Sequence, residues 1–321
     1  MNTKEKLALL LRENTDRYLS GEAIAKELGI SRTAVWKAIN SLRREGFEIA
    51  SSTNKGYRIS RDSGALTPEG IGRYLPEKHP EIFVYGTIGS TNTKARELAQ
   101  CGASEGTIVA ASHQTDGRGR MGRNFFSPDD TGLYMSIVLR PDMSAEASTL
   151  ITTAAAVAVC RAIEELCQKK ALIKWVNDIF VDGRKVCGIL TEASLGMESG
   201  SLEYAILGIG VNLYLPEGGF PENIRESAGY IFDEKTSGMR AVLCARIWEK
   251  FFEIYKDLGD KAFLGEYADR SFVIGRRIDV VSPSGRRSAV ALSVDEDCRL
   301  EVRFDDGEVK KLSTGEISIR L

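Results

Sequence analysis

Histidine is nearly absent: His79 and His113 are the only two in 321 residues. The six cysteines (Cys101, Cys160, Cys167, Cys187, Cys244, Cys298) contain no C-x-x-C pair. No zinc ligand set therefore assembles from spacing, and no tightly bound metal is expected. Reduced, mostly buried thiols of a cytoplasmic protein are expected instead, with Cys160 and Cys167 on one helix face. Long hydrophobic runs are missing too. The most apolar stretch, LITTAAAVAVC around 150–160, is bounded by Glu146 and Arg161 and is too short to span a bilayer. It reads as a buried helix, and no membrane partner is expected. The N-terminus, MNTKEKLALLLREN, lacks the apolar core and small-residue cleavage site of a signal peptide. No G-x-x-x-x-G-K-[ST] occurs, which excludes a P-loop.

Net charge is also scarce, at −2, yet it is unevenly spread. Residues 1–61 carry 12 Lys/Arg against 7 Asp/Glu, whereas the remainder is acidic. A basic head on an acidic body predicts that only the head meets a polyanion. In the head, Leu7, Leu10 and Leu11 stripe a short helix. Ser20 and Ser31 sit where N-caps belong, with Gly29 between them as a turn residue. Val35, Ile39 and Leu42 form the apolar face of the next helix, and Gly46 stops it. Helix, short turn, helix is the helix-turn-helix pattern, and FEIASSTNKGYRIS after it reads as a hairpin wing turning at Asn54-Lys55-Gly56.

Residues 62–67 read as a polar linker. IFVYGTI, GTIVAASHQ and GLYMSIVLR then read as strands, with NTKARELAQ as a helix. A long helix is expected over 144–169. Strands ALIKWVNDIFVDG, RKVCGILTEAS and EYAILGIGVNL follow, joined by Asp-Gly and Gly-Met-Glu-Ser-Gly turns. A polar loop over 214–229 and a helix over about 238–259 come next. Five short strands from about 271 predict a small SH3-like barrel. The fold class is thus α+β multidomain. Residues 1–62 form a winged helix-turn-helix, 67–270 a central mixed-sheet domain, and 271–321 the barrel.

The sharpest chemical signal is Gln114-Thr115-Asp116-Gly117-Arg118-Gly119-Arg120-Met121-Gly122-Arg123. Glycine lets backbone N–H groups approach a ligand, and arginine forks bind phosphate or carboxylate, so this loop is built to fold over an anion. Gly117, Gly119 and Gly122 formally satisfy G-x-G-x-x-G. That motif requires a helix to begin at the glycines, and NFFSPDDTG follows instead. Three further clusters lie in the same predicted sheet: Ser90-Thr91-Asn92, Lys174-Trp175-Val176-Asn177-Asp178, and Lys185-Val186-Cys187-Gly188-Ile189-Leu190. Each alone has a plain reading, respectively an N-cap, a turn with Trp175 in the core, and a strand with one glycine. In this order, together with Gly-x-Gly-x-Asn at 208–212, they are not independent.

The series resembles the biotin–protein ligase family, and with the winged helix in front it resembles the bifunctional biotin operon repressors. The resemblance covers essentially the whole chain, and the glycine–arginine and Lys-Trp-x-Asn-Asp motifs are its specific parts. It implies a ligase that joins the carboxylate of biotin to the α-phosphate of ATP, with Mg²⁺. The biotinyl group then passes from biotinyl-5′-AMP to a lysine of a biotin carboxyl carrier domain. By the same resemblance, Ser90, Thr91, Asn92 and Gln114 bond the ureido ring, while Gly117, Gly119 and Gly188 let backbone approach the ligand. Arg118, Arg120, Arg123 and Lys185 neutralise charge between the two anions. Phe125, Asn177 and Asn212 lie near the adenylate, and Asp178 orients or deprotonates the acceptor lysine. Two positions depart from the family pattern. Phe125 stands where Trp is usual and supplies no indole N–H, and Met121 stands where another basic residue occurs.

In the head, Ser31, Arg32, Thr33, Trp36 and Lys37 begin the second helix, whose first residues reach base edges in such motifs. Arg43, Arg44, Lys55 and Arg58 are expected on phosphates. Operator DNA is thus an expected partner, bound by a homodimer that the resemblance makes dependent on biotinyl-5′-AMP. Two alternatives stay open: a lipoate-type ligase, and a ligand-sensing repressor without ligase activity.

Overall fold

Helices begin where a side-chain oxygen can satisfy backbone N–H groups left without intrahelical partners. In the computed structural model, α1 (Thr3–Glu13), α2 (Gly21–Leu28) and α3 (Arg32–Arg44) open the chain. Ser20 Oγ accepts from the Ala23 N–H at 3.0 Å, and Ser31 Oγ from the Ala34 N–H at 3.2 Å. Gly29 closes α2 in the left-handed region at φ 67°. Strands β1 (Ile49–Ser52) and β2 (Gly56–Ile59) pair antiparallel, Ser52 opposite Gly56, which is the expected wing. Leu7, Leu11, Ile24, Val35, Ile39, Leu42 and Ile59 close a core that belongs to this unit alone. The structure describes residues 3–15, 17–44, 47, 49–59, 66–144, 148–195, 202–282, 285–313 and 316–319. Gly46, most of the 62–67 linker and the Gly-Met-Glu-Ser-Gly turn lie outside the described residues, as does the Arg44 side chain.

After α4 (Pro68–Gly72) come β3 (Ile82–Ile88), α5 (Thr91–Gln100), β4 (Ile108–Gln114), β5 (Gly132–Leu139), α6 (Ser148–Cys167), β6 (Leu172–Lys174) and β7 (Asp178–Val181). Then follow β8 (Arg184–Leu195), β9 (Leu202–Asn212), α7 (Met239–Tyr255) and α8 (Leu264–Arg270). The sheet order is β3-β4-β5-β9-β8-β7-β6, parallel only between β3 and β4. The expected single strand ALIKWVNDIFVDG is instead a hairpin. Lys174 pairs with Asp178, so Trp175, Val176 and Asn177 form its turn. The long helix ends at Cys167, sooner than expected. Residues 150–160 of α6 are buried on every face, because alanines let it lie close to both α7 and the sheet.

The last five strands are β10 (Arg277–Ser282), β11 (Gly285–Val294), β12 (Leu300–Phe304), β13 (Val309–Leu312) and β14 (Glu316–Ile319). They form one antiparallel SH3-like sheet in the order β13-β12-β11-β10-β14. The expected division at 270/271 is a change of sheet but not of core. One cluster of buried side chains runs from Leu66 through α6 to Ile317. Trp175 Nε1 donates to the Cys298 carbonyl at 2.9 Å, and Thr153 Oγ1 lies 3.1 Å from Cys298 Sγ. No helix among the described residues is long and apolar enough to cross a membrane.

Ion pairs lock α6 to α8. Arg270 bonds Glu164 at 2.7 Å and Glu266 at 2.8 Å, and Arg161 bonds Glu266 at 2.5 Å. Burial pushes both carboxyls up, but the arginine hydrogen bonds outweigh it and hold them below the usual carboxylate range. A depressed folded value gives stability that is present above the unfolded value and lost as pH falls through the folded one. Glu164→Gln should therefore lower the urea midpoint at pH 7. The deficit should close as the pH is taken below about 4, as measured by paired unfolding curves.

Candidate ligand-binding cleft

The N-terminus of α5 meets β4, β5 and β9 at one end of a cleft of about 390 Å³, a size that suits a small organic ligand. Ser90 is the N-cap of α5 by position, yet its side chain makes no cap hydrogen bond, and it lines the cleft. Thr91 donates both its N–H and its hydroxyl to Gln114 Oε1, at 2.8 and 3.1 Å. Gln114 Nε2 in turn donates to Ser127 Oγ at 2.9 Å, and Ser127 to the Phe125 carbonyl. Buried Ser136 donates to Thr91 Oγ1 and to Asn92 Oδ1, at 2.8 and 2.7 Å. Asn92 Nδ2 donates to Glu192 at 2.7 Å. Gly208 leaves the space that this amide fills, since a Cβ there would stand 2.1 Å from Asn92 Oδ1. The end of the cleft is thus a fixed row of polar groups with their orientations already chosen.

The glycine–arginine loop is a small hairpin across the cleft. Gly119 N–H donates to the Arg123 carbonyl at 2.7 Å and Phe125 N–H to that of Gly117 at 2.8 Å, so Arg118 pairs with Asn124. Met121 and Gly122, at φ 56° and 72°, turn its tip through the left-handed region. A single 3-10 turn over Arg120–Gly122 takes the place of the helix that a dinucleotide fold would need. Arg118, Gly119, Arg120 and Arg123 line the cleft, with Arg120 donating to Asn177 Oδ1 at 3.1 Å. Gly117 does not line it. A Cβ there would lie 2.4 Å from the Phe125 carbonyl oxygen, so this glycine closes the hairpin instead of admitting ligand.

Two other expectations change, one for a steric reason and one through a hydrogen bond. Gly188 and Gly210 sit opposite each other on β8 and β9, and the Phe125 ring lies over both. A Cβ would come within 3.1 Å of the ring at Gly188 and 2.5 Å at Gly210. What Gly188 admits in this structure is therefore Phe125, which also meets Tyr134 edge-on at 6.4 Å. Asn212 is not among the lining residues. Its amide donates to the Gly229 carbonyl at 3.0 Å and anchors the 214–229 loop, which sends Ile224 and Ser227 to the cleft. At the far side, Lys185 Nζ stands 2.6 Å from Asp178 Oδ1 across the β7–β8 pair. Both line the cleft, beside Asn177, whose amide is fixed on the Ile189 carbonyl at 2.7 Å. Glu192, Ser136 and Ser127 escape sequence reasoning, because each is one more polar position in a strand or loop and its partners are distant in sequence.

In the head, Arg32, Thr33 and Trp36 of α3 face Ser51–Asn54 of the wing across a groove of about 630 Å³. Trp36 is 57% exposed, which a core tryptophan would not be. Lys37, Lys55 and Arg58 are exposed, with the Arg58 guanidinium over the Tyr18 ring at 4.8 Å. Arg43 departs from the expectation of a phosphate contact. Its Nε and NH2 both donate to the Ile49 carbonyl, at 3.0 and 2.6 Å, bracing α3 against the wing.

A ligase-type cleft behind a helix-turn-helix is also what comparison with known proteins finds. Residues 85–212 match the biotin/lipoate A/B protein ligase family, and residues 3–58 match an HTH domain. Bifunctional ligase/repressor BirA of Bacillus subtilis (strain 168) is 33% identical over 98% of both chains. Two solved structures of Aquifex aeolicus biotin protein ligase, both 25% identical, cover 75% of this chain and 98% of their own. A mutant form in complex with biotin gives a TM-score of 0.62, and the complex with biotin and ATP 0.59. The chain belongs to the BirA family of bifunctional ligase/repressors, and it is a biotin–protein ligase with an N-terminal helix-turn-helix repressor domain.

If the two glycines exist to seat Phe125, Gly210→Ala should dislodge it. Biotin affinity measured by calorimetry should fall by about tenfold, on the order of 1.4 kcal/mol. Adding Phe125→Ala should restore part of the loss.

Proposed function

We propose that this protein adenylates biotin and passes it to a carrier lysine, and that the same adenylate is its corepressor. The observation that carries the reading is the polarity of the cleft. Fixed neutral donors and acceptors from Ser90 to Gln114 line one part of the cleft, with Arg118 beside them on Glu192, while Arg120 and Lys185 stand with Asn177 and Asp178. A neutral cyclic urea suits the first part, and a carboxylate meeting a triphosphate suits the second.

A biotin carboxylate oxygen attacks the α-phosphorus of ATP, the bond to the β-phosphate oxygen breaks, and pyrophosphate leaves with Mg²⁺. Two anions approach each other in this step, so preorganised cations lower its barrier. Lys185 has three N–H donors and spends one on Asp178, which fixes its head while leaving others for the new acyl phosphate. In the second step the amine nitrogen of the acceptor lysine attacks the acyl carbon, and AMP leaves. That amine is protonated at neutral pH. Asp178, already at the cleft wall, accepts its proton or aims it. Arg120, positioned by Asn177, holds the adenylate between the steps.

In the head, Ser31, Arg32, Thr33, Trp36 and Lys37 reach into the major groove while Lys55 and Arg58 meet phosphate. A symmetric operator calls for a homodimer promoted by the adenylate, in the cytoplasm where ATP and carrier occur.

A mass measurement tests the ligase reading. With ATP, Mg²⁺ and biotin the carrier domain should gain one biotinyl group, and with lipoate nothing. A gain with lipoate alone would establish the lipoate-type alternative, and no gain with either would leave only a sensor. Arg120→Ala should shorten adenylate retention by about tenfold or more without lowering the unfolding midpoint. For the head, Arg32→Ala should weaken binding to promoter DNA of the host's biotin genes by about 1–3 kcal/mol, read by gel shift with adenylate present.

A further inference from the structure

Glu192 lies on β8, two positions beyond Leu190 of the cleft wall, and joins parts of the protein that are remote in sequence. Its Oε2 accepts from Asn92 Nδ2 at 2.7 Å. Its Oε1 accepts from Arg96 at 2.7 Å and from the loop residue Arg118 at 3.0 Å. One half-buried carboxylate thus fixes the amide at the neutral end of the cleft, a cation of α5, and the base of the glycine–arginine hairpin. Without it, two guanidinium groups that share one oxygen would face each other with no anion between them, and their repulsion would push the hairpin outward.

We propose that Glu192 is a positioning residue and that Arg118 is its latch. Arg118 holds the hairpin against the sheet through Glu192, leaving Arg120, Arg123 and Lys185 to meet the phosphate. The same carboxylate orients Asn92, so filling the neutral end and closing the hairpin are coupled through one side chain. A ligand that bonds Asn92 stiffens Glu192, and a stiffer Glu192 holds Arg118 better. This deepens the ligase reading. Part of its test rests on that reading and part does not.

The independent part uses the ligand-free chain. Trypsin cleavage after Arg120 and Arg123, located by mass spectrometry, reports how often the hairpin opens. Glu192→Gln and Arg118→Gln should each accelerate it by about tenfold, and the double variant should be no faster than either, since both remove one interaction. The dependent part is kinetic: each single variant should raise KM for biotin and speed adenylate release. In Glu192→Gln, whose side chain does not line the cleft, the rate of transfer from preformed adenylate should stay unchanged. Cleavage of Glu192→Gln at the rate of the unmodified chain, or effects that multiply in the double variant, would overturn the latch. If Glu192→Gln is cut throughout the chain, misfolding is the cause and Arg118→Gln decides alone, because it leaves Glu192 bonded to Arg96 and Asn92. If the unmodified chain fails to biotinylate a carrier, the ligase reading fails while the cleavage result stands.

Discussion

Two like charges repel, and a protein that must bring a carboxylate up to a phosphate has to hold its own cations close together first. That requirement shapes the cleft. Arginines gathered in one short loop repel one another as well, so each needs a local partner: Arg118 has Glu192, Arg120 has Asn177, and Lys185 has Asp178. These partners sit on β7, β8 and the turn before β7: the Glu192 and Asp178 carboxylates are counter-charges, and the Asn177 amide oxygen is a neutral acceptor. The hairpin geometry follows: glycine at the crowded position 117 and at the left-handed position 122, beside Met121 in the same left-handed region, lets the loop lie this close to the strands.

The neutral end obeys a different rule. Its hydrogen bonds run in one direction, from Ser136 through Thr91 and Gln114 to Ser127 and the Phe125 carbonyl. A chain of this kind sets rotamers before any ligand arrives, which lowers the entropy cost of binding. It also ties the neutral end to Phe125, whose ring rests on the glycines at the cationic side.

The helix-turn-helix, the wing, the sheet strands and the terminal barrel were legible in the sequence because each rests on a local signal. Ser20 and Ser31 cap, Gly29 turns, and the central strands are short apolar runs bounded by turn residues. Most of the cleft was legible through the order of its motifs, which is a resemblance and not a derivation. What stayed hidden were roles settled by packing across the sheet. Gly117 read as ligand-facing, yet a backbone oxygen occupies its space, while Gly188 lines the cleft with the Phe125 ring against it. Asn212 and Arg43 read as ligand and phosphate contacts, yet both are spent on nearby carbonyls. Glu192 carried no signal, since its partners lie far away on α5 and the hairpin.

The two junctions in the chain differ in what they cover. The head closes its own core, so a cut between it and α4 strips little apolar surface from either piece. The terminal sheet shares its core with α6 and receives the Trp175 indole from the turn that also carries Asn177. A cut there would unwrap the wall of the cleft itself. For anyone recombining such chains, the reader of DNA is a detachable accessory, whereas the small sheet at the end is part of the reaction vessel.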